Sequence, residues 1–406
     1  MLRRLVALVC ACLAAWLVFD ALPVVDQILH TRPGDGVVDW LGARAWLAHV
    51  NVYSPEGLQA YGLGPYGFAH PPTAPFWLLP YTAFDVDGLG MMMGWTTILL
   101  LVFHVAATAR ALDLPLSLAA LAFALVLHAS WMHDDLRQAQ VSEPIAFLYL
   151  IAWLALREER DLGAGVAIGL ACTFKPFAGV LWLMLVCLRR WRAAAAAIAA
   201  WAAIAAVMTA RFGLVAWRQW NEFNHATAVV WMGHIRNATL PGVILRAAHP
   251  ICQGRGPGPT LATTILAVLA GALILAACWW LSRRASATTR RGQIDVLFVA
   301  WATASVFVNP VAWEHYALLL LTPLAILLSA ALDWQRTRAA RIGALVAAIA
   351  TAALLSIDMY RKVRAVDHAR KHLLEAANWA PWAIVLVAAL YLMGSDARAA
   401  RRRYGS

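Results

Sequence analysis

The chain has 406 residues, of which 62% are hydrophobic and 14% charged, with a mean hydropathy of +0.66 and a formal net charge of +11. Soluble domains sit nearer half apolar and a quarter charged, so this composition excludes an ordinary soluble protein and points to a membrane. The positive charge does not indicate nucleic acid, because most basic residues fall in short loops between apolar runs, where they act as topology signals.

Two kinds of loop alternate along the chain. Short loops rich in arginine lie at Arg3–Arg4, Arg110, Arg157–Arg160, Arg189–Arg192, Arg283–Arg291, Arg336–Arg341 and Arg398–Arg403. Longer loops at 26–72, 131–143, 211–256 and 309–315 carry Asp, His, Asn, Gln and Trp. Arginine-rich loops stay in the cytoplasm, so the polar equipment is expected on the other side. This predicts a cytoplasmic (inner) membrane protein with both termini inside and its site extracytoplasmic.

Helix 1 is expected over about 5–25 and reads as an uncleaved first span, since no small-x-small cleavage site follows. In the outer segment 26–72, Pro33-Gly34 predicts a turn, Val37 to Val50 a short helix, and His70-Pro71-Pro72 a block to helix until about Thr73. The apolar stretch 73–84 is too short to cross, since a span needs about 20 residues. Further helices are expected at about 88–109, 114–130 and 144–156. The run 162–188 has arginine loops at both ends and Lys175-Pro176 in its middle. It therefore predicts two short helices entering and leaving by one face, with Lys175 at the turn. The remaining helices fall at about 193–210, 259–281, 293–308, 316–331, 342–357 and 380–395. The alanine-rich tract 193–206 reads as helix filler. Segment 358–378 is predicted outside yet holds five basic residues, which suits an amphipathic segment on lipid phosphates. The expectation is an all-α polytopic protein of about twelve transmembrane helices in a single domain, 1–406, without repeats.

Several residues invite chemistry. Asp39 lies just beyond helix 1; it is either a helix cap or a general base at the membrane surface. Asp35 competes, but its glycine and proline neighbours suggest a turn. Lys175 is costly at membrane depth; it either snorkels or holds a phosphate as a point charge. Trp313-Glu314-His315-Tyr316 is either an aromatic-belt anchor with a capping Glu or a place to bind a sugar and handle a proton. His70, Gln138, Gln140 and Ser142 offer polar contacts that say little singly. Asn237-Ala238-Thr239 fits the N-glycosylation pattern, a frequent chance match. Asp134-Asp135 is only a weak echo of a nucleotide-sugar and metal pair. The six cysteines show no zinc spacing, five of them lie in apolar runs, and a disulfide is not expected. No Walker loop, Rossmann glycine fingerprint, HExxH or GxSxG occurs, and the cytoplasmic side lacks polar apparatus for a nucleotide donor.

Taken in order, these segments resemble glycosyltransferase family 87, multi-pass GT-C type mannosyltransferases that use polyprenyl-phosphate-mannose. The matching segments are Asp39 with Ala43 and Leu47, Val52-Tyr53, Phe68-Ala69-His70-Pro71-Pro72, Ala139-Gln140-Val141-Ser142, Lys175-Pro176, Asn237-Ala238-Thr239-Leu240 and Pro310-Val311-Ala312-Trp313-Glu314-His315-Tyr316. Three positions depart from the family's pattern: Ala139 stands for Gly, Ser142 for Asn, and His70 where an aromatic is commoner. The resemblance implies a GT-C fold and an inverting transferase in the cell envelope. Its donor would be a polyprenyl-phosphate-linked sugar and its acceptor a glycolipid or glycan, with membrane lipid around it and no nucleic acid. Asp39 and His315 would be catalytic. Lys175, Gln140 and Asn237 would bind donor and phosphate, and Tyr53, His70, Trp313 and Glu314 would line the substrate. No metal and no cofactor are expected. The alternative reading is a polytopic lipid or solute transporter; against it, the halves do not match and the polar residues cluster in outer loops rather than at the midplane.

Overall fold

A computed structural model describes residues 2–63, 70–248, 258–285, 291–356 and 378–395. Among these residues every regular element is helical. In chain order they are α1 (Leu2–Leu29), α2 (Gly36–Leu47), α3 (Pro55–Ala60), a 3₁₀ segment (Ala74–Ala83), α4 (Val86–Ala111), α5 (Leu116–Leu127), α6 (Ser130–Gln138), α7 (Ser142–Arg157), α8 (Asp161–Phe174), a 3₁₀ turn (Pro176–Gly179), α9 (Val180–Cys187), α10 (Trp191–Phe212), α11 (Val215–Met232), α12 (Leu240–Ala248), α13 (Leu261–Ala285), α14 (Arg291–Phe307), a 3₁₀ segment (Glu314–Leu320), α15 (Leu321–Leu332), α16 (Arg338–Leu355) and α17 (Asn378–Ser395).

Seven spans are long and apolar enough to cross a membrane, six of these helices and the Glu314–Leu320 segment continued by α15, or eight if the bent pair α5–α6 counts as one. The protein is a polytopic membrane protein. The sequence count of about twelve also took in short helices: α8, α9 and α14 are apolar but fall below spanning length. Leu5, Leu8, Val9, Trp16 and Phe19 on α1 are exposed, as a helix facing hydrocarbon requires, because lipid tails solvate apolar side chains as well as a core does.

Two expected loops are helices. Residues 131–143 were expected as a loop, but α6 fills most of it and meets α5 at 66°. Trp131, Met132 and Leu136 bury one of its faces. It ends at Ala139, whose φ of 49° lies in the left-handed region. Likewise the large loop 211–256 is mostly α11 and α12. The basic segment 358–378 lies outside the described residues apart from Asn378, as does Cys252. The other five cysteines are free.

The run 161–190 closes on itself. Asp161 at the start of α8 accepts a hydrogen bond at 3.2 Å from Arg190 just beyond α9, so both ends of the hairpin meet and Lys175 sits at its tip. The hairpin is pinned by small residues. A Cβ on Gly165 would lie 2.1 Å from the Ala193 carbonyl oxygen, and one on Gly169 would lie 2.3 Å from that of Ala197. This Gly-x-x-x-Gly face lets α8 and α10 approach backbone to backbone, the packing that drives helix association in lipid. The alanine tract is therefore a mating surface rather than filler. Gly169→Leu should overpack this seam and cost on the order of 1–3 kcal/mol or more, read as a lowered unfolding temperature in detergent; Ala202→Leu, on the exposed face of α10, should not.

At the opposite end of α7 from Ser142, Arg157 pairs with Asp295 at 3.1 Å, and Trp153 Nε1 donates to the same carboxylate at 2.8 Å. The 16 residues of α7 separate this cluster from Ser142 by roughly 24 Å.

Candidate active site

The first cluster forms where α2, residue 70 and the hairpin tip converge. Trp40 Nε1 donates to the Tyr81 carbonyl at 3.0 Å, tying α2 to the 3₁₀ segment. Thr73 Oγ1 donates to the Thr173 carbonyl at 2.8 Å, and Trp77 Nε1 to Thr173 Oγ1 at 2.7 Å. These bonds bring the residues after His70 against the end of α8. His70 Nδ1 then lies 2.6 Å from both carboxylate oxygens of Asp39, and its Nε2 accepts a hydrogen bond from the Lys175 ammonium. Asp39 is only 4% exposed. Tyr53 Oη donates to the His70 carbonyl at 2.8 Å. Burial, and then the Asp39 charge, push the Tyr53 hydroxyl well above its ordinary value, so it remains a donor.

The second cluster forms where α6, the turn after α11 and the Glu314–Leu320 segment meet. One Arg236 nitrogen, Nη2, donates to Asp134 at 2.7 Å and to Glu314 at 2.6 Å. Burial works against its charge, but the Glu314 and Asp134 carboxylates outweigh it and hold the guanidinium above its usual value. His315 Nδ1 lies 3.2 Å from Asp134. Its Nε2 is buried and has no protein partner. Because a carboxylate only accepts, Asp134 holds a proton at Nδ1. The opposite ring nitrogen, Nε2, is left open towards the site.

Tyr316 joins the clusters. Its ring lies 4.8 Å from that of His315 and 5.4 Å from that of Phe177, and the Lys175 ammonium sits 5.9 Å from its centroid. The structure thus gathers Asp39, Tyr53, His70, Lys175, Glu314 and His315 into one region.

Gln140 stands slightly apart. Its Nε2 donates to Asp35 at 3.0 Å, while the Gln138 side-chain oxygen accepts from the Asp35 N–H at 3.1 Å. These contacts fasten the loop before α2 onto the end of α6. Asn237 is fully committed to backbone: its amide nitrogen donates to the Met232 and Pro310 carbonyls, and its oxygen accepts from the Thr239 and Ala312 N–H groups. It braces the turn that carries Arg236 against the strand of chain leading to His315. Trp313 packs its ring against Trp231 and His234 at 5.6 and 5.2 Å.

In the sequence, Asp134 is only half of a weak metal-pair echo, and Arg236 is not singled out. Nothing in the sequence sets Arg236 apart, since the same class of loop also holds Arg32, Arg44, Arg137, Arg218 and Arg246. Among the described residues, no group of three or more His, Cys, Asp or Glu is arranged to hold a metal ion.

His234, between α11 and α12, has its pKa pushed down to about 4 by burial and then by Arg236 and Arg246. Its unfolded value is near 6.5. Between these values the unfolded chain binds a proton that the folded chain does not, so stability falls as pH drops from about 6.5 towards 4. Thermal unfolding from pH 7 to 4 should show this loss, and His234→Gln should flatten that part of the profile.

An apolar cavity of about 370 Å³ opens beside the first cluster. Its wall includes Pro71 and Pro176, each next in sequence to His70 or Lys175, together with Trp182, Trp201, Trp217 and Trp220. A second apolar cavity, of about 600 Å³, lies between α4, α5, α15 and α16.

No curated protein matches the chain. The family model of glycosyltransferase family 87 matches residues 68–310; this range contains His70, Gln140, Lys175 and Asn237, while Asp39 and Tyr53 precede it and Trp313, Glu314 and His315 follow it. The match takes in more than half of the 406 residues, and this polytopic membrane protein belongs to glycosyltransferase family 87, a family of glycosyltransferases.

Proposed function

We propose that this glycosyltransferase moves a sugar, mannose by its family resemblance, from a polyprenyl-phosphate carrier to a hydroxyl of a glycolipid or glycan on the extracytoplasmic face, with inversion. The observation that carries this reading is the pairing of a buried carboxylate, Asp39, with an ammonium, Lys175, on either side of one imidazole. Attack by the acceptor oxygen forms the new bond to the anomeric carbon as the bond from that carbon to the phosphate oxygen breaks. Asp39 takes the acceptor's proton, and the phosphate departs with the bonding electron pair. Charge building on that phosphate needs donors already in place. Lys175 supplies one, the Nε2 of His315 supplies another when both of its ring nitrogens carry protons, and the Asp134–Arg236–Glu314 network holds His315 still. No metal is required in this scheme.

The cavity beside Pro71 and Pro176 supports a lipid-borne donor, since a prenyl chain lying there would bring its phosphate to Lys175. Gln140 and Asn237 serve the site by bracing its loops, and Tyr53, Trp313 and Glu314 frame the sugar. The test is transfer by purified protein in proteoliposomes, supplied with labelled polyprenyl-phosphate-mannose or with nucleotide-activated mannose. Label should be transferred from the lipid carrier and not from the nucleotide. Transfer from the nucleotide and not from the lipid would overturn the reading, as would no transfer from any polyprenyl-linked sugar.

A further inference from the structure

We infer that His70 is the positioning residue of the transfer: a neutral imidazole that donates from Nδ1 to Asp39 and accepts at Nε2 from Lys175, fixing the base and the phosphate-holding cation in register. The inference rests on the transfer reading above and assigns His70 a role other than lining the substrate.

Proton counting sets the tautomer. A carboxylate has only acceptors and an ammonium only donors. A single ring placed between them can satisfy both only if it carries its proton on Nδ1 and a lone pair on Nε2. The imidazolium would turn a second N–H onto the Lys175 ammonium, and the other neutral tautomer would aim the Nδ1 lone pair at the carboxylate and its N–H at the ammonium. Both carboxylate oxygens lie 2.6 Å from Nδ1, so the ring, rather than solvent, orients the buried Asp39 carboxylate.

The ring is itself held. Pro71 and Pro72 follow His70 and restrict its backbone to extended conformations. The Tyr53 hydroxyl holds its carbonyl at 2.8 Å, and Thr73 is tied to the Thr173 carbonyl, two residues before Lys175. Asp39 on α2, Lys175 at the hairpin tip and Tyr53 after α2 are the ionisable groups found in contact with it. The arrangement also has an order built in. A donor phosphate that draws the Lys175 ammonium to itself releases Nε2, and the Nδ1–H stays on Asp39, so the base remains aimed while the cation changes partner.

Glutamine at this position separates a bridge from a proton carrier. Its amide can donate to Asp39 and accept from Lys175 but takes up no proton at working pH. Phenylalanine keeps the ring and loses both bonds. His70→Phe should lower kcat by about 10²-fold, the scale of a misplaced catalytic group, with KM for polyprenyl-phosphate-mannose changed far less. His70→Gln should recover most of that loss, and both variants should unfold within a few degrees of the parent. Unchanged kcat in His70→Phe would overturn the inference; so would a His70→Gln protein as impaired as His70→Phe. If the parent transfers label and Asp39→Asn does not, those outcomes strike His70 alone and leave the transfer reading standing. A second readout needs no activity: ¹⁵N NMR of histidine-labelled protein should show His70 neutral with its proton on Nδ1, and Lys175→Met should leave that proton in place, since Asp39 still accepts it. An imidazolium or an Nε2–H signal for His70 in the parent would contradict the bridge.

Discussion

Asp39→Asn should lower sugar transfer by about 10²–10⁴-fold, the range of a lost general base, without unfolding the protein. The asparagine keeps the shape of the side chain, and its oxygen still accepts the hydrogen bond that His70 Nδ1 now gives to the carboxylate at 2.6 Å. What disappears is the capacity to take the acceptor's proton. The loss should therefore fall on kcat and leave KM for the lipid donor nearly unchanged, because in the proposed transfer Asp39 serves the attacking hydroxyl and not the phosphate. Steady-state transfer from labelled polyprenyl-phosphate-mannose, run beside a thermal unfolding curve in detergent, separates the two effects. A variant that unfolds like the parent and transfers at the parent's rate would remove Asp39 from the chemistry. Asp35→Asn gives the contrast. Asp35 is bonded to Gln140 and Gln138 rather than to the imidazole, so its variant should retain most activity.

The largest expected change in stability is at Arg236. Its Nη2 holds Asp134 and Glu314 at once, and both carboxylates are about 10% exposed. Removing one partner of a buried ion pair costs about 3–5 kcal/mol, because the other charge is left desolvated and uncompensated. Arg236→Met keeps much of the apolar stem and should lower the unfolding temperature strongly. It should also depress transfer, since Asp134 is the group that orients His315 at 3.2 Å. The double variant Arg236→Met, Glu314→Gln removes one stranded charge and should regain part of the lost stability. If the single variant unfolds like the parent, the ion network is not what holds the Glu314–Leu320 segment against α6.

The fold was legible in the sequence wherever hydrophobic length decided it. The spans α1, α4, α10, α13 and α16 follow from runs of spanning length. The hairpin with Lys175 at its tip followed from arginine loops at both of its ends, and Asp161 meeting Arg190 closes it. Less could be read where a polar segment folds as helix on helix. Alternating polar residues in 131–143 and 211–256 resemble loop, yet α6, α11 and α12 form because Trp131, Met132 and Leu136 on α6, Ala216 and Trp220 on α11 and Leu245 on α12 turn inward against the rest of the chain. Such contacts have no local signature. Ala139 shows the reverse case, in which a departure from the family's glycine marks a real backbone demand: the residue sits at φ 49°, where glycine is at ease and a Cβ is not.

At the site, residue types were readable but partners were not. Asp39, Lys175 and His315 stand out alone by cost or context. That His70 joins the first two, that Asp134 and Arg236 hold the third, and that the Asn237 amide is spent on four backbone groups all depend on contacts between residues far apart in the chain.

The most direct test of the central claim is a cryo-EM structure of the Asp39→Asn protein with a polyprenyl-phosphate-mannose bound. The account predicts the phosphate within hydrogen-bond reach of Lys175 Nζ and His315 Nε2, the prenyl chain entering the cavity walled by Pro71, Pro176 and Trp201, and the anomeric carbon turned towards residue 39. A phosphate seated at the other end of α7, beside Arg157, or out of reach of both Lys175 and His315, would contradict it.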